Sequence, residues 1–117
     1  MTKILGDKGE DFAVKFLKEK GYKIIRRNYR STIGEIDIIA KDGDTIVFIE
    51  VKTRTNISFG YPFEAINTKK RQKLKNLALL YLKQQKEEFS VRFDIVSIFC
   101  ADNGKNKVEH IKDAFEV

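Results

Sequence analysis

Residues Gly34 to Lys52 hold two apolar runs, Gly34-Glu35-Ile36-Asp37-Ile38-Ile39-Ala40 and Thr45-Ile46-Val47-Phe48-Ile49-Glu50-Val51-Lys52, separated by Lys41-Asp42-Gly43-Asp44. Two strand-length apolar runs around an Asp-Gly turn signal specify a β-hairpin. With Gly43-Asp44 as the loop, or the four residues Asp42 to Thr45, Asp37 stands opposite Glu50 and Glu35 opposite Lys52. A loop of Asp42-Gly43 slides the pairing by two and sets Glu35 opposite Glu50. Each of these registers keeps Glu35, Asp37, Glu50 and Lys52 on one face, because strand side chains alternate with period two. Ala40, Ile46 and Phe48 are expected to continue that face as apolar surface. Ile36, Ile38, Val47, Ile49 and Val51 are expected on the other. Both faces then read as largely buried, as in the middle of an α/β sheet.

Charge in such a sheet is tolerated when it is paired, hydrated or bound to metal. Carboxylates about 5 Å apart across a strand pair repel and call for a cation between them. Lys52 supplies part of that neutralisation, and a divalent metal is expected to supply the rest. Mg²⁺ suits the pattern, since it takes one or two protein carboxylates and fills its other positions with water and phosphate oxygen. The simpler alternative is a Glu-Lys ion pair on a half-exposed strand, which the apolar character of both faces disfavours.

A chain of 117 residues suits one domain, residues 1–117, and 42% hydrophobic content with nine Phe supplies a core. Lys plus Arg number 23 against 17 Asp plus Glu, a net charge of +6, which favours a polyanion such as nucleic acid as partner. Cys100 is the one cysteine and His110 the one histidine, so an internal disulfide is excluded and a zinc site of the usual kind disfavoured. His110 shows no partner in the sequence and reads as a surface residue, and Cys100 as a small buried hydrophobe. No apolar run approaches the roughly 20 residues of a membrane span and no signal core opens the chain, so the expected location is the cytoplasm, with no membrane partner.

Along the chain, 7–20 reads as a helix with Asp7 as N-cap, Gly21 as C′ stop, and Phe12, Ala13, Phe16 and Leu17 as its apolar stripe. Gly9 projects onto that stripe and allows a close approach to the sheet. Residues 22–29 read as a strand, followed by the hairpin. Residues 56–66 read as a loop carrying Phe59, Tyr61 and Phe63, expected to pack the loop down rather than stack on bases. Asn67 or Thr68 caps a second helix running to about Glu87, with Leu74, Leu77, Ala78 and Tyr81 at helical spacing. Residues 91–99 form a strand, Asp102-Asn103-Gly104 a turn, and 107–111 a final strand. The order α-β-β-β-α-β implies an α/β fold with a mixed central sheet flanked by helices.

That order, with Asp37 on the second strand and Glu50-x-Lys52 on the third, resembles the restriction-endonuclease-like PD-(D/E)xK superfamily core. Arg27-Asn28-Tyr29-Arg30, Gly34-Glu35-Ile36-Asp37-Ile38-Ile39-Ala40 and Phe48-Ile49-Glu50-Val51-Lys52-Thr53-Arg54 resemble more closely the YraN-type family of nuclease-like proteins, over Gly6 to about Phe99. Ile36 stands where the superfamily's literal motif has Pro. The archaeal Holliday junction resolvases are also similar, with a helix glutamate ahead of Asp and Glu-x-Lys.

The resemblance implies a metal-dependent endonuclease cleaving DNA phosphodiester bonds, with Mg²⁺ or Mn²⁺ as cofactor and branched DNA as a plausible substrate. It implies that Asp37 and Glu50 hold the metal with the Val51 backbone carbonyl, and that Lys52 orients or deprotonates the attacking water. It makes Glu10 an additional ligand, against which stands a capping box with Asp7. Glu35 either assists the metal or pairs with Lys52 or Arg54. Arg27 and Arg54 are the preferred phosphate contacts, with Arg30 beside them. Lys69, Lys70, Arg71 and Lys73 load the first turns of the second helix against its dipole, a cost that a phosphate partner offsets. Gln72 is a weaker candidate at the site. Asp94 reads as a structural ion-pair partner. Cutting two strands requires two sites, hence a possible homodimer. Two other readings stand beside this one. One is a nucleic-acid- or partner-binding module that kept the nuclease fold without turnover, and the other a structural ion-pair cluster.

Overall fold

The computed structural model describes residues 3–54, 68–85, 90–100 and 106–115. The elements are α1 (Lys3–Glu19), β1 (Lys23–Ser31), β2 (Gly34–Asp42), β3 (Thr45–Arg54), α2 (Thr68–Lys83), β4 (Ser90–Cys100) and β5 (Asn106–Ile111). The five strands form one sheet in sequence order, with β3 and β4 parallel and the other neighbours antiparallel. This is the expected α/β architecture, a mixed sheet flanked by two helices in the manner of a restriction-endonuclease-like core. No helix among the described residues is long and apolar enough to cross a membrane. The loop with Phe59, Tyr61 and Phe63, the Asn67 cap and the 102–104 turn lie outside the described residues.

Helix α1 begins at Lys3, so Asp7 sits inside it and is not its N-cap. Gly21 ends it as expected. Its φ is 94°, Gly21 N–H donates to Lys18 O and Tyr22 N–H to Leu17 O, both at 3.0 Å, the two bonds of a Schellman cap.

Each helix covers one face of the sheet. Ala13, Val14 and Leu17 of α1 pack with Ile38, Val47, Ile49, Val96 and Ile98. Leu74, Leu77, Ala78 and Tyr81 of α2 pack with Ile39, Ile46, Phe48, Phe93 and Ile95. Two expected assignments are corrected. Ala40 belongs to the α1 face, as alternation from Ile38 requires. Ile36, two residues before Ile38, packs on the α2 face. Strand β1 does the same: Arg27 pairs with Ile38, Tyr29 pairs with Ile36, and Asn28 between them has a φ of 53°. Both strands thus turn over at Asn28 and Asp37, an irregularity that alternation alone does not foresee.

Gly9 is pressed against Thr53. A Cβ there would collide with Thr53 Oγ1 and sit 3.1 Å from its Cβ and Cγ2. At the far end of the sheet, buried Asp94 accepts from Arg92 Nε at 2.8 Å and from the Asp113 amide at 3.0 Å, and lies 2.8 Å from His110 Nε2. These bonds outweigh burial and hold its pKa below the ordinary carboxylate value. The ion-pair role expected for Asp94 is therefore what the structure contains. His110 is not a surface residue: its side chain is 3% exposed, wedged between Asp94, Phe16 and Tyr22. Cys100 is half-buried against the α1-side core.

Gly9→Ala is expected to cost about 1–3 kcal/mol in urea unfolding, as overpacking does. Thr53→Ala in the same chain should recover much of that loss, a coupling that a double-mutant cycle reads. Asp94→Asn leaves Arg92 and His110 without their buried anion and should cost roughly 3–5 kcal/mol in the same measurement.

Candidate metal centre and basic cleft

The β2–β3 ladder runs from Asp42 opposite Thr45 to Ile38 opposite Ile49. Its loop is therefore Gly43-Asp44, with Gly43 at a φ of 60° as a tight hairpin turn needs. Continued by one step, this register sets Asp37 across from Glu50, one of the two pairings that the sequence allowed. The ladder stops there, and the Asp37 side chain takes over: its Oδ2 accepts the Val51 amide proton at 2.8 Å.

Three carboxylates meet at this opening. Oxygens of Glu10 from α1 and of Glu35 and Asp37 from β2 all lie within 4.8 Å of one another. Glu10 is thus a member of the cluster, and the close seat of Gly9 on Thr53 is what brings its neighbour this far. Arg27 backs the group, with Nη2 at 3.3 Å from Glu10 and 2.7 Å from Asp11. Arg30 lies 2.6 Å from Glu35.

Glu50 faces the other way. Its Oε1 lies 2.6 Å from Lys70 Nζ and 3.4 Å from Lys52 Nζ, and its side chain is 8% exposed. The expectation that Glu35, Asp37, Glu50 and Lys52 share one face is therefore corrected. Alternation along β3 puts Glu50 and Lys52 on the α2 side, and the turn-over of β2 places Glu35 beside Glu10 at the rim of the sheet, with Asp37 between.

The electrostatics follow this division. Burial first, then the Glu50 charge, pushes the Asp37 carboxyl up to about 7 against the pull of the Val51 amide, and Glu10 and Glu35 add to the rise. Burial also raises Glu10 in spite of Arg27. Lys52 is lowered, by burial and by the neighbouring Lys70. Burial opposes the charge of Lys70 as well, but Glu50 outweighs it and Lys70 ends raised. Negative charge is compensated around Glu50 and left in excess around Asp37. Three clustered carboxylates, all hard oxygen donors, with an excess of negative charge, form the donor set that a hard divalent cation takes.

Beside the carboxylates lies a cleft of about 370 Å³ between the β1–β2 turn and α2. Lys69, Lys70 and Lys73 line it, three of the residues expected to meet phosphate. The remaining expected phosphate contacts have other engagements. Arg27 and Arg30 hold the carboxylates, Arg54 Nη1 donates to Thr53 O at 3.1 Å, and the Arg71 guanidinium lies 5.6 Å from the Phe115 ring centre. Gln72 donates to Asn76 along its own helix at 3.1 Å. The Lys70–Glu50 pair was not foreseen. Lys70 stood out only as one of a basic run, and the turn of α2 that reaches Glu50 depends on how the helix docks.

A family model described as "Uncharacterised protein family UPF0102" matches residues 9–98, which run from within α1 through β1, β2, β3 and α2 to near the end of β4. A UPF0102 protein of Thermodesulfovibrio yellowstonii is 52% identical over 111 residues, covering 95% of each chain. Another, of Caldicellulosiruptor saccharolyticus, is 50% identical over 115 residues, covering 95% of this chain and 96% of its own. A third, of Geotalea daltonii, is 47% identical over 117 residues, covering 99% and 92%. The chain belongs to the UPF0102 family, the YraN-type family that its motifs resemble.

Asp37 gives the site a signature in stability. Its folded pKa of about 7 lies above the ordinary 3.8, so the folded state holds a proton that the unfolded chain releases. Without added metal, the stability linked to this group is full below about pH 4 and is lost as pH rises through about 7. Asp37→Asn keeps an acceptor for Val51 and removes the charge. It should leave the melting temperature near wild type at pH 4 and raise it by ~5 °C at pH 8, measured in chelator.

Proposed function

We propose that this protein is a metal-dependent endonuclease that hydrolyses DNA phosphodiester bonds. The observation that carries the reading is the carboxylate group around Asp37, half-buried, short of compensating charge, and adjoining a lysine-lined cleft. The Glu10, Glu35 and Asp37 carboxylates would hold Mg²⁺ or Mn²⁺; the resemblance adds Glu50 and the Val51 carbonyl, and Glu50 would have to leave Lys70 and Lys52 to join. When bound, such an ion supplies Lewis acidity at the phosphate and eases deprotonation of water.

The chain's own residues do the rest. Lys52 orients the attacking water and counters the charge that grows on the phosphate. Arg27 and Arg30 fix Glu10 and Glu35 in place. The lysines of α2 bind the strand through its phosphates. The water oxygen bonds to phosphorus, the bond to one ester oxygen breaks, and that oxygen leaves with a proton from solvent. No side chain becomes covalently attached. The likeness to junction resolvases favours branched DNA as substrate and a homodimer as the acting species.

One observation favours the non-catalytic alternative, a nucleic-acid- or partner-binding module. Glu50 is already neutralised by Lys52 and Lys70. Metal titration followed by cleavage separates the two. In the nuclease reading Mn²⁺ shifts the amide signals of β2 and raises the melting temperature. Purified protein then cuts junction, flap or linear DNA with Mg²⁺ or Mn²⁺ and not in chelator. Asp37→Asn and Glu50→Gln each lower the rate by roughly 10² or more. Cleavage equal in wild type and both variants would expose a contaminating enzyme, and the absence of any response to Mn²⁺ would remove the metal centre.

A further inference from the structure

We infer that the cleft between the β1–β2 turn and α2 is a subsite for one unpaired, phosphate-bearing nucleotide, so that the protein binds single-stranded nucleic acid in preference to continuous duplex. That this nucleotide belongs to the strand being cut rests on the hydrolase reading; the binding preference does not.

The cleft has two unlike walls. Lys69 and Lys73 supply ammonium groups on one side, with Lys70 beside them held on Glu50, and Ile33, Leu74 and Leu77 supply an apolar surface. Gly34 adds to the opening, its own Cα bare toward Leu77. The Glu35 carboxylate at the rim is offset by Arg30 at 2.6 Å. A site for phosphates alone needs only the lysines. Ile33 adds something a phosphate does not use. It lies in the two-residue turn Thr32-Ile33, a position where polar and glycine residues prevail, and is 40% exposed. Ile and Leu side chains pack on bare base faces where nucleic-acid proteins unstack them. In a stacked duplex those faces are covered by the neighbouring pairs. At about 370 Å³ the cleft is of ordinary ligand size and holds a single nucleotide, not a base pair within its stack.

Its position is also suitable. Lys70 lines the cleft and its Nζ is 2.6 Å from Glu50, so a phosphate seated on this wall lies one side chain from the carboxylates.

The test is fluorescence anisotropy in chelator, where cleavage is absent, with a labelled oligothymidylate and a blunt duplex of two separate strands of equal phosphate count. The single strand should bind roughly tenfold more tightly than the duplex. Ile33→Ser changes no charge and sits at an exposed turn. It should weaken the single strand about fivefold and the duplex less than about twofold, whereas Ile33→Leu should retain wild-type affinity. Lys69→Gln with Lys73→Gln should flatten the salt dependence for the single strand by roughly 0.7 per lysine that contacts phosphate. Lys83→Gln, which removes one charge at the other end of α2, should leave both affinities within about twofold.

Duplex bound as tightly as the single strand, or Ile33→Ser indistinguishable from wild type, would overturn the inference. A single-strand preference in a protein that never cleaves would leave it standing while the hydrolase reading fell.

Discussion

Where β2 and β3 part, Asp37 Oδ2 accepts the Val51 amide proton in the place where the ladder between the two strands ends. A carboxylate is a poor choice for such a place if stability alone is at stake. It sits beside Glu50 and within reach of Glu10 and Glu35, and its pKa rises because burial and the Glu50 charge outweigh the bond from the Val51 amide. Everything else in the centre is arranged about that group. The turn-over of β1 and β2 at Asn28 and Asp37 divides the charged residues between the two sides of the sheet. Arg27 and Arg30 close the α1 side, and Lys52 and Lys70 close the α2 side.

The two helices are positioned by different means. Helix α1 approaches β3 closely because Gly9 has no side chain to hold it off Thr53, and Glu10 is delivered to the carboxylates as a consequence. Helix α2 is held by Leu74, Leu77, Ala78 and Tyr81, whose burial leaves the lysines of its first turns toward the carboxylates and the cleft. The hydrophobic cores on the two faces are therefore also what aims the charged groups. At the opposite end of the sheet, Asp94, Arg92 and His110 form a second buried ionic network, and this one is fully satisfied. The contrast is informative. Asp94 has a lowered pKa and several partners, as a structural ion pair does, while Asp37 has a raised pKa and a single described hydrogen bond. Asp94 and Glu50, the buried acids among the described residues, are each paired with basic side chains, whereas half-buried Asp37 is in the condition that a cation would relieve.

The resemblance to the restriction-endonuclease-like core and the hydrolase activity proposed above call for the same division of labour. Hydrolysis of a phosphodiester needs negative charge concentrated to hold a metal and positive charge nearby to meet the phosphate. A protein with a net charge of +6 that nevertheless gathers three carboxylates within 4.8 Å has segregated its charges, not merely distributed them.

The strands, the Gly43-Asp44 loop, the register across Asp37 and Glu50, the Gly21 cap and the buried face of α2 were legible in the residues themselves. They depend on local periodicity and turn chemistry, and those signals lie within a few residues of one another. The mixed character of the sheet followed from element order, and the structure shows β4 to be the strand parallel to β3. Four matters were decided only by tertiary structure. The strand turn-over moved Ile36 and Glu35 off the face that alternation gives them. Docking of α1 drew Glu10 into the cluster, and docking of α2 gave Lys70 to Glu50. His110, alone in the sequence, proved to be buried against Asp94. In each case the partner comes from a distant element, and the reach of a side chain is set by how helices pack on a twisted sheet. The sequence by itself determined which groups carry charge and which strands carry them; only the packed structure determined which charges are neutralised and which are left for a ligand.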